Sequence, residues 1–462
     1  MTSSASEHSQ PQPTLGLREA VAIIVGIVIG AGIFKAPSLV AQFTGSPGWM
    51  LAAWVAGGVI SFIGALCYAE LAAAWPHAGG DYHFLQRAYG RRVSFLFAWA
   101  RFSVITTGSI ALLAFVFGDY MSALLPLGSY SAAIWGALAI LALTWVNARG
   151  ISASASTQSW LTLAEVLGLV LIVAAGLWLW LGGEGAAPVA PIIGEAAASA
   201  TSSTPSMAML GLAMVFVLLT YGGWNEAAYL SAELRGSRRS MLHALGISLA
   251  LITVLYLAVN LAYLYGLGIQ GMAKSEAVAA DLLRVAFGRT GETLISLAVA
   301  VAALTSINAT MIVGSRTNFA VGRDWPALHA LGRWHPERGV PAAALYAQSA
   351  FALALVVFGG SLRSGFQVMV DYTAPVFWTF FFLCAIALIV LRVREPQTPR
   401  PFKVPLYPVL PLLFASVCLY MLWSSLAYVK AGALAGVGVL VIGGVLLWVL
   451  ERKRTQEVIG SS

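Results

Sequence analysis

Long apolar stretches alternate with short polar ones along the whole chain. Twelve of them are close to or above the roughly 20 residues that a helix needs to cross a bilayer. They cover 17–42, 48–74, 93–125, 131–149, 157–181, 207–232, 240–268, 291–321, 341–359, 365–391, 406–428 and 431–450. The pattern predicts an all-α integral membrane protein with twelve transmembrane helices.

Two of these stretches are interrupted. The first contains Gly26 to Pro37, GIVIGAGIFKAP, with glycines at 26, 30 and 32. Each glycine costs a helix about 1 kcal/mol relative to alanine. Broken backbone at membrane depth is tolerated only where protein buries it or a cavity hydrates it. If the helix stops near Val28 and restarts near Ile33, the restarted half presents free N–H groups at its positive end, which suits a carboxylate. The half that stops presents free carbonyls, which suit an ammonium. Gly26 and Gly30, four apart, equally fit close helix–helix packing. The second interruption is Tyr221-Gly222-Gly223-Trp224-Asn225 in the sixth stretch. Adjacent glycines followed by an amide are harder to ascribe to packing, and carbonyls near Leu219 and Gly222 are candidate ammonium acceptors. Paired breaks in two halves of a chain mark the substrate site of many transporters. The expectation is that the two breaks face each other.

The loops supply the orientation. With the N-terminus inside, 19 of the 26 Lys and Arg fall in or beside inside loops. Five, Lys274, Arg284, Arg289, Arg363 and Lys430, fall outside, and Lys35 and Arg101 lie within segments. That bias places both termini in the cytoplasm of a cell whose inner membrane holds the chain. Residues 1–16 read as a disordered cytoplasmic tail. Residues 75–92 predict a short interfacial helix. Residues 182–206 read as an extracellular linker, and 269–290 as an external lid helix with apolar positions at Val278, Leu282, Leu283 and Phe287. The stretch 392–408 carries five prolines and cannot be helical.

Composition agrees. The chain is 59% hydrophobic and 10% charged, against about 25% charged in soluble domains. The net charge of +7 follows topology rather than a basic stripe, so no nucleic acid partner is expected. Cys67, Cys384 and Cys418 all lie in apolar runs and read as buried thiols. No histidine stands at a metal-ligand spacing, so neither metal nor cofactor is expected. Several charges lie in or near segments. Glu70 reads as an interfacial cap, and Glu226 and Asp371 as vestibule or ion-pair candidates. Tyr221, Arg316 and Glu233, with Asp324 and Arg235, are candidates for an inner gate. Tryptophans elsewhere read as interface belts.

Five motifs occur in one order over nearly the whole chain: GAGIF with Pro37, PHAGGDYHFLQRAYG, YGGWNEAAYLSAELR, SINATMIVGSRTNFAVGRD and PRPFKVPLYPVLP. In these the chain resembles the amino acid–polyamine–organocation superfamily, and within it the bacterial relatives of the L-type amino acid transporters. The resemblance implies a leucine-transporter-like fold. Helices 1–5 (17–181) and 6–10 (207–391) would form two inverted repeats around broken helices 1 and 6. A linker at 392–405, two peripheral helices (406–451) and a cytoplasmic tail (452–462) would follow. By motif, Ala31 and Gly32 would offer N–H groups to the substrate carboxylate, Val28 and Gly222 carbonyls to its ammonium, and Gly30 would belong to the same substrate site. Asn225 would bridge the second break. Leu219 stands where relatives carry a bulky aromatic gate, which implies wider side-chain tolerance. Ser103, Thr106, Thr107 and Ser306 are further pocket candidates. Glu165 stands where cation-independent relatives often carry a lysine. An intramembrane carboxylate is a functional candidate, here a proton-coupling group paired with Lys35 or, alternatively, a structural ion pair with Lys35 or Arg101.

The function implied is secondary transport of amino acids, broadly neutral, by exchange or proton symport. A carrier of cationic amino acids or polyamines is the rival within the class. A channel is a more distant one, because selectivity rings are usually built by subunit symmetry. No P-loop, H-E-x-x-H or G-x-S-x-G motif occurs, so neither ATP hydrolysis nor an enzyme is expected. Substrate, protons and lipid are the partners, and the sequence leaves the oligomeric state open.

Overall fold

The computed structural model describes residues 17–75, 80–149, 151–182, 204–225, 238–325, 328–334, 340–362, 364–427 and 431–460, with side chains 151–165 outside the description. The tail 1–16, most of the 182–206 linker, Glu226, Glu233 and Arg235 lie outside the described residues. Every element among those described is helical.

The first apolar segment is split. α1 (Leu17–Val28) ends at the first break, a 3-10 turn covers Ala31–Phe34, and α2 is Ala36–Thr44. Then come α3 (Pro47–Ala74) and α4 (Asp81–Tyr89), the helix expected in the 75–92 loop. α5 (Arg91–Ala100) continues through a π-helical stretch, Arg101–Thr106, into α6 (Thr107–Leu124). α7 (Ser131–Arg149) and α8 (Ile151–Trp180) follow. α9 (Met207–Thr220) stops at the second break. α10 (Arg238–Lys274) bends at Gly268, and α11 (Val278–Asp324) bends at Phe287 and Gly288. α12 (Ala342–Gly360), α13 (Gly365–Arg394), α14 (Val409–Ala427) and α15 (Ala431–Gly460) complete the chain.

Among the described residues nine helices are long and apolar enough to cross a membrane, and Val166–Trp180 and Met207–Thr220 are shorter apolar helices. The first and sixth apolar segments are each interrupted. The first segment is divided by its break into two helices of 12 and 9 residues. The sixth is cut after Thr220. The lid region is a helix over 278–286, with Val278, Leu282 and Leu283 buried and Phe287 turned outward at 41% exposure.

The short broken elements occupy the centre. α2 packs on α9 and α10, α11 on α6 and α8, and α14 and α15 lie against α13. Trp54 of α3, Tyr221 and Tyr256 of α10 form one aromatic cluster with centroids 5.1–6.0 Å apart. Trp224 stacks on Phe381 at 5.3 Å and meets Tyr68 edge-on at 5.4 Å. Trp54 and Trp224 therefore anchor the core and the second break, whereas Trp145, Trp178 and Trp180 are exposed as belt residues are. The three cysteines are free and buried.

Glu70 is not an interfacial cap. It is fully buried, accepts from the Arg392 guanidinium through both oxygens and from the Val404 N–H at 2.6 Å, and has the Arg400 guanidinium 3.7 Å away as a second opposite charge. This pins the proline-rich stretch after α13 to the end of α3. Glu395 adds a second tie. It accepts from Arg87 of α4 at 2.8 Å and from Trp75 Nε1 at 3.1 Å.

Candidate functional site: two helix breaks around one cavity

The two breaks touch. A Cβ built on Gly32 would lie 3.3 Å from Thr220 Oγ1 and 3.5 Å from Thr220 Cα. Gly30 is extended (φ −146°, ψ 174°), and the chain restarts at Ala31. Ile33 N–H donates to Gly30 O and Lys35 N–H to Gly32 O. The first N–H groups of a restarting helix have no partner inside it. Those of Ala31 and Gly32 meet no protein acceptor among the described residues. At the second break Gly222 N–H donates to Leu219 O at 3.0 Å. A Cβ on Gly222 would sit 2.8 Å from that same oxygen, and Gly223 has φ +97°. Only glycine fits this reversal without moving backbone.

A cavity of about 530 Å³ opens beside both breaks. Of the expected residues, Val28, Gly30, Ala31, Gly32, Leu219, Gly222, Asn225, Thr106 and Ser306 line it. The Leu219 carbonyl already accepts from Gly222 N–H. The Val28 carbonyl is shared. Tyr256 Oη lies 3.2 Å from Val28 O and 3.1 Å from Thr220 O, the last residues of the two helices that stop. One hydroxyl proton serves two carbonyls there, so acceptor capacity remains.

Other expectations are corrected. Ser103 and Thr107 do not line the cavity. Their hydroxyls donate to Trp99 O and Ser103 O, and Tyr372 Oη also donates to Ser103 O at 2.7 Å. The cause is the π stretch, whose wider turn rotates Ser103 off the face that Thr106 and Ser109 share. Tyr221 is fully buried and points away from the cavity, its hydroxyl 3.0 Å from Trp54 O and 3.2 Å from Thr253 Oγ1. Arg316 is exposed beside a separate small pocket with Asn147 and Val340. Among the described residues it makes no ion pair, and Glu233 lies outside them. Asp371 faces α15, its Cβ 3.0 Å from where a Cβ on Gly432 would be. Glu165 lies outside the described side chains. Lys35 has another partner, Asp119 at 2.7 Å, and donates to Glu276 O at 2.5 Å.

The structure adds residues that the sequence did not assign to the pocket. Arg101, Ser109, Thr220, Thr305, Thr310 and Thr373 line the cavity, as do Asp81 and Phe377, Phe380 and Phe381. A signal existed for part of this set: Phe97, Arg101, Ile105 and Ser109 recur every four residues, a single helical face.

The cavity lies on the side of the breaks that carries α4 and the α13–α14 stretch. The Lys35–Asp119 pair lies on the opposite side. Beyond Lys35 and Asp119, Tyr120 Oη donates to Phe34 O at 2.6 Å and accepts from Ala279 N–H at 3.3 Å.

Paired helix breaks on one cavity, inside a bundle of apolar helices, define a membrane permease. The family model for amino acid permeases matches residues 15–449. The chain is 30% identical over 427 residues to the mouse large neutral amino acids transporter small subunit 2, covering 89% of this chain and 76% of that protein. It is 30% identical to the mouse b(0,+)-type amino acid transporter 1 (89% and 82% covered) and 28% identical to the human Asc-type amino acid transporter 1 (95% and 82%). The chain belongs to the amino acid permease family of the amino acid–polyamine–organocation superfamily.

Proposed function

We propose that the protein carries neutral amino acids across the cytoplasmic membrane by alternating access around the two breaks. The observation that carries this reading is that Val28, Ala31, Gly32 and Gly222, from the two breaks, line one cavity, so that N–H groups of Ala31 and Gly32 and carbonyls of Val28 and Gly222 are the groups on offer. A zwitterion has a carboxylate for the first set and an ammonium for the second. Leu219, in place of an aromatic, and 530 Å³ of space favour broad side-chain tolerance. On the orientation that loop charges give, the cavity faces the cytoplasm, and the Lys35 side is the closed extracellular face. The family fold would then place twelve helices as two inverted repeats plus two peripheral helices, with both termini inside.

The test is uptake into liposomes holding purified protein. Labelled neutral amino acids are offered with and without amino acid inside, at two external pH values. Saturable uptake supports the carrier, and linear flux would establish a channel instead. A requirement for internal substrate identifies exchange. Uptake into empty vesicles that rises at low external pH identifies proton coupling and makes Glu165→Gln the decisive variant. If that variant transports with unchanged pH dependence, Glu165 is structural.

A further inference from the structure

Among the described residues, seven on the cavity wall carry an aliphatic hydroxyl. Four of these are engaged within their own helices. Thr220, Thr305, Thr310 and Thr373 each donate to the carbonyl four residues back, at 2.7 to 3.0 Å, as threonines inside helices commonly do. Thr106, Ser109 and Ser306 differ. Among the described residues their hydroxyls have no hydrogen-bond partner, and none of the three oxygens is sealed off, so each opens on the cavity. Thr106 turns its γ-methyl to α11, where a Cβ on Gly314 would meet it, and this leaves Oγ1 off that contact.

The three share one seam. α6 and α11 pack against each other and run antiparallel, since Tyr120 meets Ala279 at one end and Thr106 meets Gly314 towards the other. Counted from the Thr106–Gly314 contact, Ser109 lies about one turn and Ser306 about two turns along that seam. A hydroxyl is one donor and two acceptor positions. In the open cavity water serves all of them. Alternating access closes the cavity around its substrate, and the water leaves. A substrate side chain that both donates and accepts then replaces it, whereas an apolar one leaves the hydroxyls to fall back on their own helix carbonyls. That fallback keeps the difference to the worth of about one net hydrogen bond, roughly fivefold in binding.

We infer that Thr106, Ser109 and Ser306 form a side-chain subsite that selects amino acids ending in a hydroxyl or a carboxamide over apolar ones of the same shape. The inference rests on the amino acid transport reading and specifies its substrate class. The breaks hold the amino and carboxylate groups common to all substrates. The space of about 530 Å³ keeps the tolerance of shape broad, and the polarity of the seam sets the order of preference.

The experiment is competition for uptake of labelled alanine into liposomes holding purified protein. The competitors come in pairs of like shape, threonine with valine and asparagine with leucine. The readout is the ratio of inhibition constants within each pair, not the absolute rate. Wild type is expected to favour threonine and asparagine, each about fivefold. Thr106→Val with Ser109→Ala and Ser306→Ala reverses both ratios, because a hydroxyl or amide that leaves water without a partner is penalised. Each single variant shifts the ratios part of the way, and Thr106→Ser, which keeps the hydroxyl, keeps them. The wild-type ratios and the single variants carry the test even where the triple variant does not fold. Wild-type protein that favours valine and leucine would overturn the inference, as would ratios that stay unchanged when the hydroxyls are removed. Both results leave amino acid transport standing. If wild type takes up no amino acid at all, the functional reading itself fails.

Discussion

Lys35 and Asp119 form an ion pair 2.7 Å long that joins the restarted first helix to the end of α6. Their side chains are 9% and 16% exposed, and the ammonium also holds the carbonyl of Glu276, just before the lid helix. Removing one partner of such a pair strands the other charge, at about 3–5 kcal/mol. Lys35→Met is therefore expected to lower the unfolding temperature in detergent markedly. Lys35→Met with Asp119→Leu should recover most of the loss, since an apolar pair carries no stranded charge. A single variant as stable as wild type would show that the pair contributes nothing.

Tyr256→Phe tests the link between the breaks. The phenol is the only described donor to the last carbonyls of both stopping helices. Leaving them unsatisfied costs about 1–3 kcal/mol. The expected outcome is a roughly tenfold rise in KM for a neutral amino acid, with the thermal transition lowered by a few degrees. Unchanged kinetics would mean that water replaces the hydroxyl without loss.

Two glycine substitutions should behave oppositely. Gly222→Ala drives a methyl to 2.8 Å from Leu219 O, which only backbone movement relieves, so transport should be abolished. Gly30→Ala meets nothing within 4 Å. That protein should fold, and its methyl, on the cavity wall, should disfavour bulky substrates over alanine or serine. Uptake of leucine and alanine by both variants reads the difference.

Arg392→Lys should fail to replace Arg392. Glu70 is wholly buried and held through two parallel bonds that an ammonium cannot reproduce. The variant is expected to unfold several degrees earlier than wild type.

The tie between α4 and the stretch after α13 depends on pH. Hydrogen bonds from Arg87, foremost, hold the Glu395 carboxyl below the usual carboxylate range. Its stabilisation is full above the ordinary carboxylate pKa and is lost as pH falls through the lowered native value. Because the pair is partly exposed, at 42% and 26%, the size is under about 1 kcal/mol. Wild type and Glu395→Gln should differ slightly in unfolding temperature at pH 7 and converge as pH falls below that lowered value.

Sequence alone determined the broad architecture, because apolar length and charge asymmetry are local properties that a bilayer reads directly. It also marked both breaks, because paired glycines at membrane depth admit few conformations. Seven of its pocket candidates, those at the breaks, line the cavity for that reason. Tertiary structure decided the partners. Lys35 meets Asp119, 84 residues on, and Glu70 meets Arg392, 322 residues on, and nothing in local pattern encodes such meetings. The π stretch decided which face of the third segment looks inward, since one widened turn shifts every side chain before it. Arg101 was visible as an intramembrane charge, but only the packing of α11 and α13 on its π stretch made it a wall of the cavity.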